Sequence, residues 1–484
     1  MNTDFQSAPP QTPAIGGSRA VGSPVPEATR HLAMDTARGL ALLGIFMVNI
    51  QFFAASFLDF FEMTPPAGTS PGGVAVFYFT SIFCQSKSYP LFSLLFGMGL
   101  ALQMGRAKSA GRSFFPLYLR RLAALALFGL LHIVFLWYGD ILLFYAMAGF
   151  VLLLLSRLSA KWLLGIAAGI IGLGTLLGTA LGVAMVLSGP GGLRGEPAPE
   201  PAAPGVSQTA GDIDPEAMER RTPIERLFNP RTMQGTFGGP GGPSGEAAQS
   251  PDNPATRTWN AAEAEAFRDG PFMQAMLVRL LFWFMMFMFS IFSFLWHVLA
   301  MFCIGAALVK LRIFDADRAV WRRRFAIWGL GLGIPVAVLI SFAPIMFGVR
   351  GMALLNSVGM FIVPTLVALG YFGAMAWLCD SGRLARITGV LAATGRMALT
   401  NYLFQSVIAG FVMYHWGLAQ FGTFDRVERA TLVVGVYACQ LVFSVLWLRY
   451  FRFGPMEWLW RSMTYLKLQP MRRTATATAT APVA

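Results

Sequence analysis

Apolar residues fall in long runs along this chain. Ten runs, at about 38–58, 74–103, 118–138, 141–158, 162–187, 275–311, 325–347, 356–379, 396–416 and 430–450, approach or exceed the ~20 residues an α-helix needs to cross a hydrocarbon core. The pattern predicts an all-α fold, a polytopic transmembrane helical bundle of about ten spans. Two runs are unusual. A helix over 275–311 would be roughly 55 Å long, far beyond a core of about 30 Å. Splitting it into two crossings would put KLRIFDADRAVWRRR on the wrong side, so one crossing with a bend or extension is expected. Within 74–103, FCQSKSYPLF holds Gln85, Lys87 and Pro90, which predicts a broken helix. Such a break is tolerated where it lines a cavity or packs against protein.

The polar stretches divide the chain. Residues 1–29 and 466–484 read as disordered tails, and residues 1–29 lack the basic start and apolar core of a signal peptide. Between them lie a membrane bundle of five spans at 30–187, a Gly/Pro-rich loop at 188–274 and a second bundle at 275–465. Most of the loop reads as disordered, with EAEAFRDGPF forming a short helix that leads into the sixth span.

Charge then orients the bundle. The segments expected inside are 104–121 with five basic residues and no acidic one, 157–161 with two basic, 310–324 with six basic and two acidic, 380–387 with two and one, and 449–473 with six and one. The segments expected outside include 59–73 with two acidic residues and 188–274 with seven basic and twelve acidic. Only the short outer turn at Arg350 departs from the rule. The positive-inside bias therefore places both termini in the cytoplasm. Composition agrees: 55% of residues are hydrophobic and 13% charged, about half the charged fraction of a soluble domain. The net charge of +13 is then a topological signal, and no nucleic-acid partner is expected. Cys84, Cys303, Cys379 and Cys439 lack metal-ligand spacing, so neither a metal site nor a disulfide framework is expected.

Few polar side chains interrupt the spans, and each is a candidate for chemistry because an unpartnered polar group in lipid is expensive. Asp35, Arg38, Leu42, Ile45 and Asn49 form one stripe of the first helix. It reads either as a helix cap, a topology anchor and an interhelical bond, or as a polar shaft that binds substrate. In RRLAALALFGLLHIVFLWYGD, Arg121, Leu125, Phe128 and His132 share a face, with the cation and the imidazole roughly 16 Å apart. Arg120 and Arg121 suit a phosphate group or anionic lipid. His132 is the best single candidate for a catalytic base. Asp140 reads first as the cap of the following helix, and meets His132 only if the hairpin folds the carboxylate inward. Lys87 is a further substrate-binding candidate. Asn401 and Gln405 share a face of the ninth span, with Arg396 pointing about 140° away. His297 and His415 read as isolated, and Arg279 as a residue that snorkels to the interface. No Walker loop, HExxH, GxSxG or complete dinucleotide fingerprint appears.

The blocks MDTARGLALLGIFMVNI, SYPLFSLLFGMGLAL, RRLAALALFGLLHIVFLWYGDILLFYAMAG, EAEAFRDGPF, GRMALTNYLFQS and FGPMEWLWRS together resemble the YeiB family of bacterial membrane proteins. The C-terminal half of that family is classed as a domain of unknown function. The resemblance implies a multi-pass protein of the bacterial inner membrane. The N-terminal part is distantly similar to membrane acyltransferases of the heparan-glucosaminide acetyltransferase type, whose LD-x-x-RG start is matched by Met34-Asp35 and Arg38-Gly39. That likeness implies transfer of an acyl group from cytoplasmic acyl-CoA, a co-substrate rather than a bound cofactor, to an acceptor on the other side. Arg120 and Arg121 would hold the donor phosphates, His132 would deprotonate the acceptor or hold the acyl group with Asp140 orienting the ring, and Asn49 and Lys87 would bind substrate. Many enzymes of the broader group carry a histidine where this chain has Asn49. Two rival readings stand beside it: a permease for a small solute, which the broken second span suits, and a non-catalytic membrane scaffold.

Overall fold

The computed structural model describes residues 27–62, 64–109, 114–188, 221–237 and 253–473. Residues 1–26 of the expected N-terminal tail, the Gly/Pro-rich parts of the long loop and residues 474–484 lie outside them, while residues 27–29 already belong to the first helix. Among the described residues the fold is all-α, with one isolated bridge between Phe451 and Arg472. The helices are α1 (Glu27–Ala54), α2 (Pro71–Phe79), α3 (Ser88–Ser109), α4 (Phe115–Phe135), α5 (Leu142–Leu155), α6 (Ala160–Ser188), α7 (Pro223–Leu227), α8 (Pro230–Phe237), α9 (Pro254–Ala264), α10 (Phe272–Phe292), α11 (Phe294–Lys310), α12 (Ala319–Ser381), α13 (Ala385–Arg396), α14 (Ala398–Met413), α15 (Arg426–Tyr450) and α16 (Pro455–Tyr465).

Seven helical segments among the described residues are long and apolar enough to cross a membrane, and α5, α11 and α14 are shorter apolar helices. Their surfaces support the membrane reading. Leu176 is 66% exposed, Trp162 68% and Phe292 82%, part of a broad apolar exterior that water would penalise and lipid tails accept. Inside, α3 and α11 run parallel, with Tyr89 beside His297 and Gly97 beside Phe302. Gly97 and Gly305 let the two backbones approach so closely that a β-carbon at either would collide with the partner's main chain.

The breaks have local causes. The second span is interrupted where a π-helical turn at Thr80–Cys84 gives way to a turn and then α3, as its polar residues predict. The 275–311 run bends at Ser293, whose φ of −133° and ψ of −64° separate α10 from α11. The runs at 325–347 and 356–379 belong to one helical stretch, α12, that nevertheless folds back on itself. Gly329 meets Gly370, and Arg322 at one end donates to Asp380 at the other, at 2.9 and 2.7 Å. Gly382, with φ of 65°, ends α12 in a left-handed C-terminal cap.

One expectation needs correcting. The run at 396–416 is not a single helix from Arg396, because Met397 leaves the helical region and separates α13 from α14. Arg396 and Asn401 therefore do not share a helix, and α13 packs along α1, where Thr36 Oγ1 donates to Thr388 O at 3.1 Å. Residues 466–473 also fold back: Arg452 N donates to Met471 O and Arg473 N to Tyr450 O.

Candidate active site

The site grows from the α4–α5 hairpin. α4 ends where Leu136 and Trp137 both donate their N–H groups to His132 O, and the chain then turns through Gly139. Asp140 Oδ2 accepts from Leu143 N at 2.8 Å, which caps α5 as its position in sequence predicts. The same carboxylate turns inward, with Oδ1 3.0 Å from His132 Nδ1. The two atoms stand at ion-pair distance but out of line for a well-directed hydrogen bond. Both side chains are fully buried. Gly129 makes the approach feasible, since a β-carbon there would lie 2.8 Å from Asp140 Oδ2 and 2.7 Å from Leu143 N.

The third member comes from far along the chain. Ser406 Oγ lies 2.8 Å from the other imidazole nitrogen, His132 Nε2, across 274 residues of sequence. Ser406 sits on α14, whose first turn is held by Glu457 from α16. Glu457 Oε1 accepts from Leu399 N at 2.6 Å and Thr400 N at 3.1 Å, and Oε2 accepts from Thr400 Oγ1. Burial pushes the Glu457 carboxyl above its ordinary range, and these bonds pull against that shift. Tyr402, one turn before Ser406, lays its ring 5.2 Å from the imidazole, and Trp137 stands edge-on at 6.2 Å. The result is a buried cluster of carboxylate, imidazole and hydroxyl, the three groups of a Ser-His-Asp relay, in which the imidazole–hydroxyl pair has hydrogen-bond geometry and the carboxylate–imidazole pair stands at ion-pair distance.

The other candidates scatter. Asn401 donates to Thr394 O and Ser444 Oγ, both at 3.1 Å, and Gln405 Nε2 to Gln440 Oε1 at 2.8 Å, so both stitch α14 to its neighbours beside Ser406. Asp35 accepts from Arg38 Nη1 at 2.6 Å near the start of α1. Asn49 is half-buried on the same helix. Lys87 is buried and donates to Ser81 O at 2.6 Å across the π-helical break, which satisfies the broken backbone rather than presenting a free cation. Arg120 and Arg121 diverge. Arg120 is exposed and donates back to Pro116 O, whereas the Arg121 guanidinium stacks 3.6 Å over the Trp460 ring.

Two readings are overturned. Arg279 does not snorkel: it is fully buried, and Nη1 donates to Phe135 O at 2.7 Å and Leu136 O at 3.1 Å, capping the end of α4 next to the relay. His297 is not isolated, because Tyr89 Oη and Thr365 Oγ1 flank its two nitrogens at 2.8 and 2.9 Å. Ser406 escaped the sequence reading altogether. A serine in a membrane helix is common, and nothing local marks one whose partner lies in a distant hairpin.

Residues 308–467 match a family described as protein of unknown function (DUF418). The chain is 29% identical to the uncharacterized protein YxaH of Bacillus subtilis, over 91% of this chain and 95% of that protein. It is 27% identical to the uncharacterized protein YeiB of Escherichia coli, over 90% of this chain and 96% of the relative. A third relative, an uncharacterized 39.9 kDa protein of Bacillus acidopullulyticus, is 24% identical over 90% of this chain and 94% of its own length.

Proposed function

The chain belongs to the YeiB family, and from that premise we propose that it is an acyltransferase of the bacterial inner membrane, passing an acyl group from a cytoplasmic thioester, acyl-CoA, to a hydroxyl acceptor outside. The observation that carries this reading is the Ser406–His132–Asp140 line. In the first half-reaction the Ser406 oxygen bonds to the thioester carbonyl carbon while its proton passes to His132 Nε2. The C–S bond then breaks, and the thiolate takes that proton and leaves as free thiol. In the second half, an acceptor hydroxyl gives its proton to His132 and attacks the acyl-serine. The ester bond to Ser406 breaks, and its oxygen recovers the proton. Asp140 holds the ring in orientation and stabilises the transient imidazolium. Arg121, on the same α4 face as His132 and roughly 16 Å away, lies where the anionic end of the donor would rest.

The test is free-thiol release from a panel of acyl-CoA chain lengths by the full-length protein in nanodiscs. His132→Ala and Ser406→Ala are expected to lower turnover by about 10²–10⁴-fold while thioester binding persists. Arg121→Ala is expected to weaken binding instead. A wild type that releases no thiol across the panel, or relay variants that lose only thermal stability, would sink the mechanism in favour of the scaffold reading.

A further inference from the structure

A second polar site lies at the acidic end, apart from the relay. A shallow, solvent-open cleft is lined by Phe52 of α1, Glu62 beyond it, Phe77, Thr80 and Gln85 of the broken span, and Arg426 at the start of α15. It runs along the π-helical interruption, a feature frequent at functional sites. Its charges cancel internally. Arg426 pairs with Glu62, while Arg429 lies 4.0 Å from Asp59 and donates to Gln51 Oε1 at 3.1 Å. An ionic ligand would have to break one of these pairs. A neutral one need only use their spare lone pairs and N–H groups.

Among the described residues, two polar groups in the wall lack protein partners. Thr80 is 8% exposed and its Oγ1 is buried with no hydrogen bond, a costly state that a bound hydroxyl would relieve. The half-buried Gln85 amide likewise finds no partner among the described residues. The rings of Phe52 and Phe77 also line the cleft, with the Arg426 guanidinium 5.1 Å over the Phe77 ring, and they offer apolar surface for C–H groups.

We propose that this cleft binds a small uncharged polyol, its hydroxyls bonded to Thr80 Oγ1, the Gln85 amide and the Glu62 carboxyl, with its C–H face against the phenylalanine rings. The role of that polyol rests on the acyl-transfer reading, in which it supplies the hydroxyl acceptor. Phe52 stands edge-on to Trp137 at 6.1 Å, and Trp137 to His132 at 6.2 Å. One indole, buried and stacked on Phe53 at 4.7 Å, therefore separates the cleft wall from the imidazole.

The experiment titrates methyl α-glucoside into the full-length protein in nanodiscs, with ethanolamine and acetate as charged comparisons, read by calorimetry or saturation-transfer NMR. Saturable binding of the glucoside alone is expected, weakened about tenfold by Thr80→Val and by Gln85→Ala. The thermal midpoint of Thr80→Val should stay level or rise, because no protein contact is lost. No saturable glucoside binding, tighter binding of either ion, or wild-type affinity in both variants would each overturn the proposal. His132→Ala separates the two readings. Retained glucoside binding with thiol release unaltered would leave the cleft standing and remove acyl transfer. Thiol release that depends on His132 without glucoside binding would do the reverse.

Discussion

Gly129 shows how much one residue controls at this site. A methyl group there would press on Leu143 N, which is main chain and cannot retreat, and on the Asp140 carboxylate, both closer than 3.0 Å. Gly129→Ala is expected to cost about 1–3 kcal/mol of stability and to lower thiol release, because the carboxylate must leave the imidazole. Asp140→Asn separates the two tasks of that side chain. Its amide oxygen can still cap α5, so the thermal midpoint should move little while turnover falls. Equal loss of both in chemical denaturation and thiol assays would make Asp140 a cap and nothing more. His132 and Asp140 were legible because an ionisable ring and a carboxylate are conspicuous in an apolar hairpin. Ser406 was not, because its significance lies in a contact across 274 residues. Lys87 and Arg279 were legible as charges but not as satisfied ones, since the carbonyls they bond belong to main chain that sequence does not display.

The elements were easier to read than their ends. Each apolar run became helix, but the break at Ser293 has no Gly or Pro to announce it, and the prolines and glycines of α12 do not by themselves say where it folds back. α10 makes the point. Its Arg279 closes the last carbonyls of α4, and its Phe287 and the Phe294 of α11 both meet Phe144 at the start of α5. The bend at Ser293 therefore sits where the chain passes from the hairpin's tip to its flank. Arg279→Leu keeps the apolar volume but leaves the carbonyls of Phe135 and Leu136 without these buried donors. The loss is expected to be about 2–3 kcal/mol, and the relay should loosen with it. Thermal unfolding beside thiol release would check this; an unchanged midpoint would mean that α4 does not depend on α10.

At the scale of the whole molecule, charge separates two ends, and the acidic one carries a pH dependence. Glu263 of α9 is fully buried and accepts from Ser56 Oγ at 2.8 Å, Phe57 N at 3.0 Å and Trp259 Nε1 at 3.1 Å, tying the helices of the long loop to the end of α1. Burial pushes its carboxyl up to about 8, against the pull of those donors. Burial and the neighbouring Asp59 also lift Glu62 to about 7. Both folded-state values lie above the ordinary 4.5, so between about 4.5 and 8 the folded protein holds more protons than the unfolded chain. Stability must then fall as pH rises through that window and level off above it. The thermal midpoint in nanodiscs is expected to be higher at pH 5 than at pH 8.5, with Glu263→Gln flattening most of the slope. A midpoint that rises with pH in this range would mean that the hydrogen bonds to Glu263 outweigh its burial and that the carboxylate is the resident form. The net charge that set the topology could not foretell this, because the sequence counts Glu263 as one more exposed acid in a polar loop, and only the fold removes it from water.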